Sequence, residues 1–222
     1  MHEMLKNKET IIFDLDGTLV DSMWIWKAID IEYLGRYNIA LPPDLQAKIE
    51  GMSFDETAIY FKQEFAIPNT LDEIKNTWNE MAMDYYLTKV NLKEGVHELL
   101  EYCKDNNIKL GIATSNSKEL MTAIAKVHEL DQYFDCIMTG SDILKGKPAP
   151  DIYLTVASKL QTHPSKCLVF EDIVPGIMAG KNAGMTVCAV EDVYSADKRK
   201  QKQEYADYYI ESYKDLWLSD RI

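Results

Sequence analysis

The chain has 222 residues, 46% hydrophobic and 27% charged, with 24 Lys and Arg against 36 Asp and Glu and a formal net charge of −12. That apolar content excludes a disordered chain, and the acidic balance argues against a nucleic-acid or anionic-membrane surface, both of which need an excess of basic side chains. The length suits one domain, or one domain carrying a small insertion.

The residues before Thr10 contain no apolar run of the kind that makes a signal peptide, so no leader is expected. No apolar run approaches the ~20 residues that span a bilayer. A first apolar run over 10–13 predicts a buried strand, closed by the acidic, glycine-containing turn Asp14-Leu15-Asp16-Gly17-Thr18. From about Ser22 to Asn91 the periodicity is helical, with segments over 23–37, 43–50, 53–65 and 71–87. They are broken at Pro42-Pro43, Gly51 and Pro68-Asn69. Short apolar runs then follow over 109–113, 136–138, 167–170 and 186–190, as expected of parallel strands covered on both faces. Helical stretches over 118–127, 150–160 and 174–183 alternate with them.

The expected fold is therefore α/β: a doubly wound, Rossmann-like parallel sheet built from 1–21 and 92–222, with an all-α insertion over 22–91. Gly176, Gly180 and Gly184 read as a flat helix face packing on the sheet. The lysine-rich stretch 198–203 reads as a solvated surface, and Trp217 as packing a short C-terminal helix. Cys103, Cys136, Cys167 and Cys188 form no C-x-x-C pair and have no ligand spacing with a histidine. They are expected to be free thiols in a reducing, cytoplasmic compartment.

In an open parallel sheet, ligands bind at the carboxyl ends of the strands. There the sequence offers Asp14 and Asp16, then Thr114, Ser115 and Asn116, then Asp142 and Lys147, then Glu171 and Asp172. Carboxylate oxygens suit Mg²⁺, a lysine can hold a phosphate oxygen, and hydroxyl and amide donors complete a phosphate cradle. Taken singly, each has a plainer account. The D-x-D string fits an acidic turn, Glu171-Asp172 a helix cap, Lys147 a surface lysine and Asp142 a turn cap. Taken together, four acids at one sheet edge without a cation would repel one another.

The strings resemble, in order and context, the four signature motifs of the haloacid dehalogenase-like superfamily. The first is Phe13-Asp14-Leu15-Asp16-Gly17-Thr18-Leu19-Val20-Asp21-Ser22, the second centres on Thr114, the third on Lys147. The fourth begins at Glu171-Asp172 and runs on to Gly184-Met185. The helical insertion resembles the cap of the phosphoglycolate phosphatase and β-phosphoglucomutase branch. The resemblance implies that Asp14 attacks the phosphoryl group and that Asp16 acts as general acid and base. It also implies that Asp14, the backbone carbonyl of Asp16 and Asp172 hold Mg²⁺, with Glu171 supporting the metal shell. Thr114 and Lys147 would grip the transferring phosphoryl group, and Ser115 and Asn116 would add donors.

The cap would select the substrate through Trp24, Trp26, Met52 and Phe54, although tryptophans at helical spacing equally fit core packing. Asp21, Ser22 and 91–95 would be its hinges. Phe54 stands where the mutase would need an arginine for a second phosphate, and Trp26 where it would carry a histidine. The resemblance thus favours a phosphatase of small organic phosphate monoesters. A sugar phosphomutase and a non-catalytic phosphate-binding domain stand as alternatives. A small-molecule phosphate is the expected partner, with no nucleic acid and no membrane, and the chain is expected to be a monomer or weak dimer. The insertion carries six basic and eleven acidic residues, which disfavours a polyanionic substrate.

Overall fold

The computed structural model describes residues 2–143 and 145–218. Residues 1, 144 and 219–222, which the expected core range includes, lie outside the described residues. Strand β1 (Thr10–Phe13) is followed by four helices, α1 (Met23–Gly35), α2 (Leu45–Ile49), α3 (Phe54–Glu64) and α4 (Leu71–Thr88). The chain continues through α5 (Val96–Asp105), β2 (Lys109–Ala113), α6 (Lys118–Val127), β3 (Cys136–Met138) and α7 (Asp151–Lys159). It ends with β4 (Cys167–Glu171), α8 (Val174–Asn182), β5 (Thr186–Val190), α9 (Arg199–Tyr205) and β6 (Tyr208–Ile210).

The strands form one sheet in the order β3-β2-β1-β4-β5-β6, every pair parallel. All four residues of β1 are buried. Their side chains alternate between faces, so Ile11 and Phe13 join one apolar cluster and Ile12 the other. The first cluster runs from Phe13 through Leu15 and Leu19 into Ile25, Tyr33 and Trp78, so one apolar body joins the sheet to the helical insertion. Polar residues fix where two of the inserted helices begin. Ser53 with Glu56, and Thr70 with Glu73, form capping boxes at α3 and α4, each worth about 0.5–2 kcal/mol. The two connections into the insertion pair with each other: the Asp21 amide donates to the Asn91 carbonyl at 2.9 Å, and the Lys93 amide to that of Leu19 at 3.0 Å.

The strands and the four inserted helices fall within a few residues of the sequence expectation. Four features differ. Helix α5 and the three-residue edge strand β6 were not anticipated. The stretch 198–203 is exposed at Arg199, Lys200, Gln201 and Gln203, as expected, but not throughout. It enters α9, and Lys202 is fully buried, donating to the Ser195 hydroxyl at 3.0 Å and the Val190 carbonyl at 3.2 Å. Of the three glycines read as a flat face, Gly180 packs on Val187 and Val169, but Gly176 abuts the Glu171 carboxylate and Gly184 faces open space. Cys136 is half-buried, whereas the other three thiols are fully buried. Trp217 lies in a short 3-10 turn (Tyr213–Trp217), edge-on to Tyr102 at 5.3 Å. Among the described residues, no helix is long and apolar enough to cross a membrane.

Candidate active site

β1 lies between β2 and β4, so the residues that follow these three strands are neighbours by construction. The Asp14 amide donates to the Phe170 carbonyl at 3.0 Å, which extends the ladder by one residue and sets Asp14 beside the end of β4. Lys147, on the segment leading into α7, reaches the same point. Its ammonium lies 2.5 Å from both Asp14 Oδ1 and Glu171 Oε1, and it is buried. The second oxygen of Glu171 accepts from the backbone amides of Asp172 at 2.9 Å and Ile173 at 3.2 Å, while Tyr153 donates to Oε1 at 2.9 Å. Both oxygens of Glu171 are thus engaged within the protein. A side chain at Gly176 would strike that carboxylate, so the first turn of α8 needs glycine there.

Asp172 is fastened on two sides. Thr18 donates to its Oδ1 at 3.0 Å, and Ser195 to its backbone carbonyl at 2.9 Å. Its Oδ2 is buried and has no hydrogen-bond partner. A buried carboxylate oxygen left unpaired costs several kcal/mol unless a cation answers it. Gly17, at φ +79°, brings the turn so close to Asp172 that any side chain there would overlap Oδ2.

Asp14, Glu171 and Asp172 each offer an oxygen within 4.8 Å of the others. Burial lifts the Asp14 carboxyl to about 7, the pull of Lys147 notwithstanding, and Glu171 adds to the rise. Burial, with Glu171 and Asp14, also raises Asp172 well above the usual carboxylate range. Burial opposes the charge on Lys147, but Asp14 and Glu171 outweigh it and hold the ammonium charged. Three buried carboxylates against one ammonium, with one oxygen orphaned, is an all-oxygen donor set that fits Mg²⁺.

Asp16 points away from this cluster, toward the helical insertion. Its carboxylate accepts from Ser22 at 2.5 Å, from Asn116 Nδ2 at 2.8 Å and from the hydroxyl of Tyr86 on α4. Asn116 also donates to Tyr86 at 2.9 Å. Burial and the nearby Asp16 charge keep the Tyr86 hydroxyl protonated, well above the usual phenol range. Thr114 turns its hydroxyl to the amide of Asn116 at 3.0 Å, and the Ser115 carbonyl accepts from the amide of Phe54 at 3.0 Å. Sequence reading missed Thr18, Tyr86, Tyr153 and Ser195. Thr18 was legible in the Asp16-Gly17-Thr18 string, whereas the other three are brought in by folding from distant elements. Asp142 takes the plainer of its two readings, capping Thr139 through its amide at 2.8 Å.

A cavity of about 220 Å³ lies between the sheet edge and the inserted helices. Asp14, Asp16, Thr114, Ser115, Asn116, Lys147 and Asp172 line it on one side, and Trp26, Met52, Phe54 and Trp78 on the other. Trp24 is a correction: it does not line the cavity. Its indole N–H donates to the Asp21 carbonyl at 3.2 Å and its ring meets Tyr85 edge-on at 5.5 Å, because residues two apart in a helix point to opposite sides, which turns it off the face that Trp26 occupies. The insertion rests on the core through the Phe54–Ser115 bond, a Ser117–Asn79 bond of 2.7 Å and a Lys198–Glu50 ion pair of 2.6 Å.

Over 218 residues the chain is 30% identical to the bifunctional riboflavin kinase/FMN phosphatase of Arabidopsis thaliana. That match takes in 98% of this chain but only 56% of the relative. It is 32% identical over 178 residues to a phosphorylated carbohydrates phosphatase of Thermotoga maritima, covering 80% of this chain and 82% of that protein. The fold matches that of CbbY from Rhodobacter sphaeroides with a TM-score of 0.84 at 22% identity, over 94% and 96% of the two chains. The family of haloacid dehalogenase-like hydrolases matches residues 11–190. With the four strand-end motifs gathered at one sheet edge, the chain belongs to the haloacid dehalogenase-like hydrolases.

Proposed function

We propose that this chain is a Mg²⁺-dependent phosphatase that hydrolyses a small organic phosphate monoester through a phosphoryl group carried on Asp14. The observation that carries the reading is the orphaned Asp172 Oδ2 beside Asp14 and Lys147, with Asp16 held separately on the cleft side. Asp14, Asp172 and the Asp16 backbone carbonyl hold the metal, which when bound neutralises charge on the phosphoryl oxygens. Glu171, with both oxygens engaged, keeps Lys147 and the Asp172 amide in place and supports that shell from behind.

Asp14 attacks phosphorus and the alkoxide leaves; Asp16 supplies the proton to that oxygen. Asp16 then takes a proton from the water that releases phosphate from Asp14. Its three donors, Ser22, Asn116 and Tyr86, fix its carboxylate for both steps. Lys147 and Thr114, with Ser115 and Asn116, hold the phosphoryl oxygens as charge moves between nucleophile and leaving group. The core spans 1–21 and 92–222, and 22–91 acts as a cap that excludes water. Free thiols at all four cysteines suit a cytoplasmic setting.

Among the described residues no arginine lines the cleft, and Phe54, which by the sequence resemblance stands where a mutase would need an arginine, lines it instead. Hydrolysis is therefore favoured over isomerisation. The test is phosphate release from a panel of monoesters. Release with Mg²⁺ that stops on chelation and returns on re-addition is expected. Conversion of β-glucose 1-phosphate to glucose 6-phosphate with little free phosphate would overturn the reading.

A further inference from the structure

The catalytic cluster leaves one buried acid of the cleft unused. Met23, Trp26, Lys27 and Asp30 all line the cavity from one stripe of α1, spaced as i, i+3, i+4 and i+7. At 1.5 Å per residue, Asp30 lies roughly 10 Å along the helix from its hinge end. Asp30 is only 6% exposed, yet its one hydrogen-bonding side chain among the described residues is Gln46 of α2, which donates to Oδ2 at 2.7 Å. A carboxylate has about four lone-pair sites, so acceptor capacity remains on the cavity side. Burial lifts this carboxyl to about 7, with Gln46 pulling the other way. The aromatic wall of the same cavity includes Trp26, Phe54 and Trp78, the last packed edge-on against Phe54 at 5.5 Å.

An acceptor left unmet in an aromatic-walled cavity calls for a ligand group that donates a hydrogen bond without carrying a full charge. A hydroxyl does so. Further acid at the rim (Glu50), the absence of a lining arginine among the described residues and an exposed Lys27 give little hold for a second phosphate. The cavity is also smaller than the ~300–1,000 Å³ of pockets that take drug-sized ligands.

Resting on the phosphatase reading, we propose that Asp30, seated by Gln46, accepts a hydrogen bond from a hydroxyl of the leaving group. The substrate class is a small polyhydroxylated phosphate monoester bearing a single phosphate. Asp30 is a specificity residue and touches no reacting atom.

The experiment compares kcat/KM for glycerol 3-phosphate and glucose 6-phosphate with that for phenyl phosphate, which has no hydroxyl, in the wild type, Asp30→Leu and Asp30→Asn. Assayed at pH 8, above the range in which Asp30 holds its proton, the ratio of hydroxylated to phenyl substrate should fall about tenfold or more in Asp30→Leu, the loss of one hydrogen bond to a buried charged group. Asp30→Asn, which keeps an acceptor and the shape, should fall between. A ratio that stays the same in both variants would overturn the inference while leaving the phosphatase reading intact. So would a wild-type preference for phenyl phosphate or for fructose 1,6-bisphosphate. Absence of Mg²⁺-dependent phosphate release from every compound would sink the phosphatase reading itself, and this inference with it.

Discussion

At the sheet edge Lys147, Glu171 and Asp16 are each fastened by several partners from different elements, whereas at the cap end the walls are aromatic and one acid, Asp30, leans on one amide. Lys147 is gripped by two carboxylates, Glu171 by four donors and Asp16 by three. Asp30 has Gln46. Chemistry that moves charge needs groups that do not reorganise during the step, and a dense network supplies that. Recognition of a leaving group needs an unmet acceptor and a shaped apolar wall, which a dense network would fill. On the proposed reading, the sheet edge sets the reaction and the inserted helices set what enters it.

Substitutions at the two ends should separate along that line. The largest effect belongs to Asp14→Asn, which should lower kcat for p-nitrophenyl phosphate by ~10⁴-fold or more, as loss of a nucleophile does. A fall of only a few-fold would place the nucleophile elsewhere. Next comes Asp30→Asn, read by thermal melting against pH. The folded carboxyl holds its proton up to about 7, against 3.8 for an ordinary aspartate. Unfolding therefore releases a proton between those values, and wild-type stability falls as pH rises from about 4 to about 7 and is level above it. The variant should accordingly gain on the wild type across that window, by at most roughly 4 kcal/mol. Equal melting of the two at pH 5 and pH 8 would show that Asp30 ionises as a surface acid does.

Tyr86→Phe removes one of three donors to Asp16. It should cut kcat about tenfold for an alkyl phosphate and less for p-nitrophenyl phosphate, whose leaving group needs little protonation. An equal loss on both substrates would deny Asp16 the role of acid. Smallest is Lys202→Met, behind the site. Lys202 pairs with Glu191 at 3.3 Å and donates to Ser195, which donates to the Asp172 carbonyl; without Lys202, Glu191 keeps Arg199 and Tyr209 as partners. A loss of about 1–3 kcal/mol, or roughly 3–10 °C in Tm, is expected. No change in Tm would mean that this buried ammonium contributes nothing to the sheet edge.

The same contrast explains what could be read from the sequence. Asp14, Thr114 and Asp172 follow strands directly and Glu171 ends β4, so they are tied to local signals, an apolar run and then a polar residue, whereas Lys147 lies well past β3 and was legible through its motif. Their spatial partners have no such signal. Tyr86 sits in α4 with the same helical spacing as the core residues Ile74, Trp78 and Ala82, and nothing local separates its hydroxyl from theirs. Lys202 lies among lysines and glutamines and is buried only because α9 folds back against β5 and the 3-10 turn before it. Trp24 and Trp26 look alike in sequence, and only helical phase sends one to the cleft and the other to the outside. Asp30 carried no motif at all; its significance arises from burial in a cavity wall, which is a property of the fold.

The proposed reaction passes through a phosphoryl group on Asp14. In Asp16→Asn, p-nitrophenyl phosphate should still react with Asp14, because its leaving group departs without a proton, while hydrolysis of the adduct stalls for want of the base. Acid quench followed by peptide mass spectrometry should then find one added phosphoryl group on the peptide that contains Asp14. An unmodified peptide under turnover conditions, or a phosphoryl group on any other residue, would contradict the account.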